Sequence, residues 1–90
     1  VIELPAVARE PLLQALATLL AEHDILRAKG FAALPGKPMR LLLQAVGRRL
    51  ESHFDRAWRA DEARRTQLVL IGRALDAAAL RAALQPLALA

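Results

Sequence analysis

Leu12, Leu13, Leu16, Leu19 and Leu20 recur at i, i+1, i+4, i+7 and i+8, the spacing that lines one face of a helix. This predicts a helix over Pro11 to Glu22, with Pro11 at its first position and Glu10 as a poor cap. Ahead of it, Val1 to Leu4 is a short apolar segment that reads as a strand or the end of one. From Asp24 to Leu34 the period shortens towards two. Leu26, Ala28, Ala32 and Leu34 fall on one side and Ile25, Arg27, Lys29 and Phe31 on the other, with Gly30 as a candidate bulge.

Met39 to Val46 is nearly all apolar and stops at Gly47. The next residues alternate, Leu50, Ser52 and Phe54 against Arg49, Glu51, His53 and Asp55, which predicts a strand with one wet face. Arg56 to Arg65 is irregular and reads as a loop around Trp58, with a helical turn expected at DEARR. Leu68 to Ile71 is a continuous aliphatic run closed by Gly72, as in a strand covered on both faces. Asp76 can cap a last helix starting at Ala77, Leu75 and Leu80 can staple it, and Pro86 should end or kink it. The order strand, helix, three strands, loop, strand, helix predicts an α+β fold, a mostly antiparallel sheet of four to five strands with two helices on one face. Alanine and leucine content alone would equally suit a helical bundle. The alternation around Leu50 and the turn at Pro35 to Pro38 favour the sheet.

That turn belongs to the stretch GFAALPGKP, Gly30 to Pro38, which superficially resembles a phosphate-binding loop. Such a loop needs two glycines five positions apart followed by Lys and then Ser or Thr, because backbone amides cradle phosphate and the hydroxyl holds magnesium. Here Gly30 and Gly36 stand six apart, and Pro38 after Lys37 supplies neither an amide donor nor a hydroxyl. The stretch instead suits a strand and a type II turn, with Pro35 at i+1 and Gly36 at i+2.

Ninety residues at 56% hydrophobic and 24% charged suffice for one globular domain, residues 1 to 90, and exclude a disordered tail. The absence of cysteine excludes disulfides and thiolate metal sites and fits a reducing compartment, so the expected location is the cytoplasm. No apolar run approaches the roughly 18 to 20 residues that span a bilayer, and no membrane partner is expected. The start at Val1 with VIEL suggests a piece of a longer protein.

The net charge of +4 is unevenly placed. Residues 1 to 39 and 74 to 90 balance, and the excess lies in residues 40 to 73, where Arg40, Arg48, Arg49, Arg56, Arg59, Arg64, Arg65 and Arg73 face Glu51, Asp55, Asp61 and Glu62. Such a block can attract an acidic partner or nucleic acid, or form a salt-bridged solvated surface. With Phe31, Phe54 and Trp58 as its only aromatics, the chain lacks the stacking platform of single-strand binders, and nucleic acid is an unlikely partner. Trp58 either anchors its loop to the core or offers an interface hot spot beside Arg56 and Arg59. The candidate partner surface is therefore Lys29, Lys37, Arg40, Arg48, Arg49, Arg56, Trp58, Arg59, Arg64 and Arg65.

Candidate chemistry is sparse. His23 and His53, with Asp24, Glu51 and Asp55 as companions, are the only basis for a metal-holding site, and His53 and Asp55 have a chelating i, i+2 spacing. Ser52, Thr18 and Thr66 lack a base or a glycine elbow, and Asp61 and Glu62 beside Arg64 and Arg65 suit ion pairing better than acid–base work. The residues alone point to a non-catalytic binding domain.

Two strings carry a family likeness: HDILRAKGFAALPGKPMRLLLQAVGRRLESHFDRAW, from His23 to Trp58, and DEARRTQLVLIGRALD, from Asp61 to Asp76. Their most specific parts are RAKGF, the PGKP turn, QAVG, FDRAW and RRTQLVLIGRALD. In order and spacing they resemble the C-terminal domain of the CobW family of P-loop GTPases, in the form closest to the cobalamin-biosynthesis members. The resemblance implies a longer parent whose N-terminal domain holds the phosphate loop, the GTPase activity and a cysteine motif for metal, with GTP, magnesium and cobalt or zinc as its cofactors. None of those motifs has a counterpart here, so no catalytic or metal-binding residue carries over. Implied partners are the parent's own GTPase domain and a client such as a metalloprotein or a cobalt chelatase. The client, the metal, any sensing of nucleotide state and the oligomeric state lie beyond the sequence.

Overall fold

The computed structural model describes residues 1–89. Five antiparallel strands lie in the order β1-β5-β2-β3-β4: β1 Ile2–Leu4, β2 Ile25–Ala32, β3 Met39–Val46, β4 Arg49–Ala57 and β5 Thr66–Gly72. Two helices, α1 Arg9–Glu22 and α2 Ala77–Leu84, cover one face, so the α+β sheet-and-two-helix architecture expected from the sequence is what forms.

The core lies between that face and the helices. Leu12, Leu16, Leu19 and Leu20 of α1 and Leu80 and Leu84 of α2 meet Leu4, Ala28, Ala32, Leu41, Leu43, Ala45 and Leu68 of the sheet. Alternation along each strand decides which side chains reach it. α1 begins two residues earlier than its leucine pattern predicts. Ala8 caps it without a side-chain bond, and Pro11 sits in the first turn, where its missing N–H has no intrahelical partner in any case. Asp76 caps α2 as expected, its Oδ1 accepting from the amides of Ala78 and Ala79 at 3.0 and 3.2 Å. Leu75 and Leu80 both join the core beneath that cap, and α2 stops at Leu84, giving way to a single 3-10 turn that contains Pro86.

The turn between β2 and β3 is the type II turn read from the sequence. The Lys37 amide donates to the Leu34 carbonyl at 3.2 Å, and Gly36 has a φ of 72°. The β3–β4 hairpin turns through Gly47 and Arg48 alone. Gly47 has a φ of 57°, the backbone a two-residue turn demands at its first central position.

The bulge in β2 falls at Leu26 rather than Gly30, since Ile25 pairs with Gly72 and Arg27 with Ile71. Its extra residue reverses the expected sides of the strand start. Ile25 turns into the core, Leu26 turns out, and the Leu26 carbonyl is taken up by the amide of Gly47 at 3.1 Å. Gly30 is in regular register, and its lack of a side chain serves the approach of β5. A Cβ there would collide with the Gln67 carbonyl oxygen and come within 2.9 Å of Leu68 Cα. Thr66 also ties these elements, its buried hydroxyl accepting from the Ala33 amide at 3.1 Å.

The strand β4 runs to Ala57, so Arg56 belongs to it rather than to the following loop. No helical turn forms at DEARR. The loop instead closes through one turn, with the Glu62 amide donating to the Arg59 carbonyl at 3.1 Å. A second correction concerns β5, which the apolar run suggests is covered on both faces. Only its Thr66, Leu68 and Leu70 side meets the helices, and on the other side Val69 and Ile71 are 40% and 55% exposed.

Candidate interaction surface

Among the described residues no element covers the second sheet face. Cross-strand pairing places Phe31 between Gln67 and Leu42, Lys29 between Val69 and Gln44, and Arg27 between Ile71 and Val46. These residues line an open trough of about 1020 Å³. Its carboxylates are held to different degrees. Glu3 accepts from Gln67 Nε2 at 2.8 Å, Glu51 lies 4.0 Å from Arg49, and Asp55 is held by Arg40. Among the described residues Arg27 and Lys29 pair with no carboxylate. The face thus carries two cations without a carboxylate partner, Arg27 and Lys29, on the middle strand β2, flanked by the apolar side chains Val69 and Ile71 of β5 and Leu42 and Val46 of β3.

The arginine block that is continuous in sequence is divided in space. Arg48 and Arg49 stand at the β3–β4 hairpin, at the same end of the sheet as Arg73 after β5, while Lys37, Arg59, Arg64 and Arg65 are exposed at the opposite end. Arg40 and Arg56 each engage a carboxylate, although Arg40 also lines the trough. Arg40 binds Asp55 through Nε and Nη2 at 2.9 and 2.8 Å, in side chains only 18% and 19% exposed. Arg56 binds Glu62 through both terminal nitrogens at 2.8 Å. The Arg40 hydrogen bonds hold the Asp55 carboxyl below the usual carboxylate range. Glu62 is pulled down to about 2, first by Arg56 and then by the backbone amide of Arg59, and Arg56 is raised in turn.

Trp58 also leaves the list of exposed candidates. It is 7% exposed, meets Phe31 edge-on with centroids 5.8 Å apart at 75°, and its amide donates to the Pro38 carbonyl at 3.0 Å. Of the two sequence readings of this residue, loop anchor is the one the packing supports. Its indole Nε1–H meets no acceptor among the described residues.

The structure keeps the two histidines apart. His23 follows α1 at the sheet end where β2 begins, and His53 is exposed mid-way along the edge strand β4, opposite Leu42. Asp55, its i, i+2 companion, is occupied by Arg40. Among the described residues no three His, Cys, Asp or Glu side chains gather to hold a metal ion. Nor do Gly30 to Pro38 fit a nucleotide, since Leu34 to Lys37 is a closed turn without the hydroxyl that magnesium needs. No helix among the described residues is long and apolar enough to cross a membrane.

Arg27 is the residue that the sequence reading left out of the candidate surface. Its alternation with Lys29 and Phe31 carries the signal, although Arg27 lies outside the arginine-rich block from residue 40 onwards.

Comparison with known proteins agrees with this architecture. The family described as "Cobalamin synthesis protein cobW C-terminal domain" matches residues 5–88. The "Zinc chaperone CobW" of Pseudomonas aeruginosa is 62% identical over 79 residues, covering 88% of this chain and 21% of that protein. A protein of the same name from Sinorhizobium is 60% identical over 70 residues, covering 77% of this chain and 20% of its own length. The chain thus spans about a fifth of these curated relatives. Among solved structures, zinc-bound YjiA GTPase from E. coli superposes with a TM-score of 0.86 at 35% identity, over 96% of this chain and 28% of that one. A zinc-bound triple mutant of YjiA GTPase gives 0.87 at 34% identity, over 97% and 28%.

Proposed function

The chain belongs to the CobW C-terminal domain family, and on that premise we propose that it is the accessory and docking domain of a GTP-dependent metal chaperone, itself doing no chemistry. Its work in this reading is to bind the parent's GTPase domain and couple nucleotide state to the handling of a client, such as a metalloprotein or a chelatase, in the cytoplasm. The observation that carries the docking role is the open sheet face, where Phe31, Leu42, Val46, Val69 and Ile71 lie beside the unpaired cations Arg27 and Lys29. A contiguous patch of exposed large apolar side chains with charged groups among them marks a protein–protein contact. Zinc is the metal favoured by the relatives' names; cobalt rests on the sequence resemblance to cobalamin-biosynthesis members alone. Nucleotide and metal belong in this reading to the parent's other domain, because the residues here fit neither.

The test is to measure GDP and GTP-analogue affinities of the parent with and without this domain. Linkage requires that a domain which senses the nucleotide also changes nucleotide affinity by the same factor. A changed ratio of the two affinities supports regulation. An unchanged ratio rejects it and leaves only docking of an outside client.

A further inference from the structure

We propose that the outer edge of β4 pairs antiparallel with the same edge of a second copy of this chain, about a two-fold axis at Ser52, so that the two sheets join into one. The proposal is independent of what the open sheet face binds.

The two edges of the sheet differ. β1 has only three residues, Ile2–Leu4, and Pro5 follows it, so that edge is short and stopped. β4 runs for nine residues, Arg49–Ala57, with neither proline nor glycine, and among the described residues no strand pairs with its outer side. The free N–H and C=O groups of such an edge are a template for another strand. From Arg49 to Phe54 the strand keeps regular register with β3, and the bulge at Asp55 interrupts it only beyond that stretch.

The side chains select both the occupant and the register. A two-fold axis normal to the sheet keeps like faces together, so each residue pairs with one from the same side of the strand. With the axis at Ser52, Glu51 stands opposite the partner's His53 and Leu50 opposite the partner's Phe54, and each pair occurs twice. Glu51 and His53 lie across from Gln44 and Leu42, on the side away from the helices, where the carboxylate can accept from an imidazole N–H. Leu50 and Phe54 lie across from the buried Ala45 and Leu41, on the helix side. Phe54 is 37% exposed in the single copy, with the Arg9 guanidinium 5.8 Å over its ring, and the partner's Leu50 would cover it further. Arg49 faces the partner's Asp55 at the margin, but Asp55 is held by Arg40, so the centre carries the match.

Neighbouring registers fail. With the axis at Glu51 the two carboxylates oppose each other, and with the axis at His53, Glu51 meets the partner's Asp55. Complementarity of the strand to itself selects a second copy over an unrelated peptide, and a two-fold pair uses up both free edges and closes the assembly.

Sedimentation equilibrium of the chain over a concentration series is the first test, with Glu51→Lys, His53→Glu and the double variant compared with wild type. Both side chains belong to exposed residues, and far-UV circular dichroism confirms that each variant stays folded. The expected result is a reversible dimer, weakened roughly tenfold by either single change and restored by the double variant, whose exchanged charges face each other again. The second test is disulfide capture in a chain that has no cysteine of its own. Ser52→Cys brings two thiols directly across the axis, with Cβ atoms about 4.5–5.5 Å apart, and diamide should link them. Arg49→Cys is the control, because in this register its two copies are offset along the strand by roughly 20 Å. A chain that stays monomeric at every concentration and fails to link at Ser52→Cys overturns the proposal. So does a dimer that links as readily at Arg49→Cys, or one that the double variant does not restore, since it uses another surface or register.

Discussion

Arg40 on β3 grips Asp55 on β4 through two nitrogens while its guanidinium lies 4.6 Å over the ring of Phe31. The pair sits where the register between β3 and β4 slips, with Arg40 opposite Arg56 and Leu41 opposite Phe54. Asp55 is therefore the extra residue of a bulge, and the bulge aims its carboxylate at Arg40. The planar fork of arginine is what permits the two-point grip, so lysine is no substitute. Arg40→Lys and Asp55→Asn should each destabilise the domain by about 1–2 kcal/mol, allowing for partial solvent screening. Urea unfolding of both single variants and the double variant checks this; additive losses would show that the pair is not coupled.

The two ion pairs also set an acid response. Asp55 and Glu62 are both held below their ordinary values, Glu62 at about 2, so their contribution is fully present above the ordinary carboxylate range. It is lost as pH falls towards the folded values. Wild-type unfolding midpoints should drop between about pH 4.5 and pH 2 more steeply than those of an Asp55→Asn, Glu62→Gln variant. Parallel curves would mean that other carboxylates govern acid unfolding.

Trp58 separates an anchor from a hot spot. If its work is to fill the space against Phe31, Trp58→Ala should cost about 3–5 kcal/mol of stability. Trp58→Phe keeps an aromatic edge and removes a buried N–H without an acceptor, so it should cost much less. Thermal melts of both variants decide it; equal losses would point to the indole N–H as a bonded group.

Two backbone positions should respond in opposite directions. Gly30→Ala pushes β2 away from the Gln67 carbonyl and should be severely destabilising or prevent folding. Ala74 is held at a φ of 51°, a conformation that costs a side-chain-bearing residue roughly 1 kcal/mol, so Ala74→Gly should raise stability by about that amount. A denaturant series on both variants tests the signs.

Most of the architecture was readable because its signals are local. The leucines of α1, the Asp76 cap, the alternation of β4 and the Pro35–Gly36 turn each fix an element within a few residues. The faces of β2 were harder, because a bulge at Leu26 leaves no residue type that distinguishes it from Gly30. The charge state of the candidate partner surface was hidden for a related reason. Sequence proximity grouped Arg40 and Arg56 with the exposed arginines, yet pairing across strands and across a loop neutralises both. Arg27 and the outward half of β5 become conspicuous only once the strand order places β2 in the middle and leaves one face bare.

The most direct measurement is calorimetric titration of this domain into the separately prepared GTPase domain of its parent, once with GDP and once with magnesium and a non-hydrolysable GTP analogue. An accessory domain that reads nucleotide state predicts binding in both titrations with affinities that differ, by roughly 5- to 150-fold if the coupling is of ordinary size. Equal affinities, or no binding in either state, would contradict it.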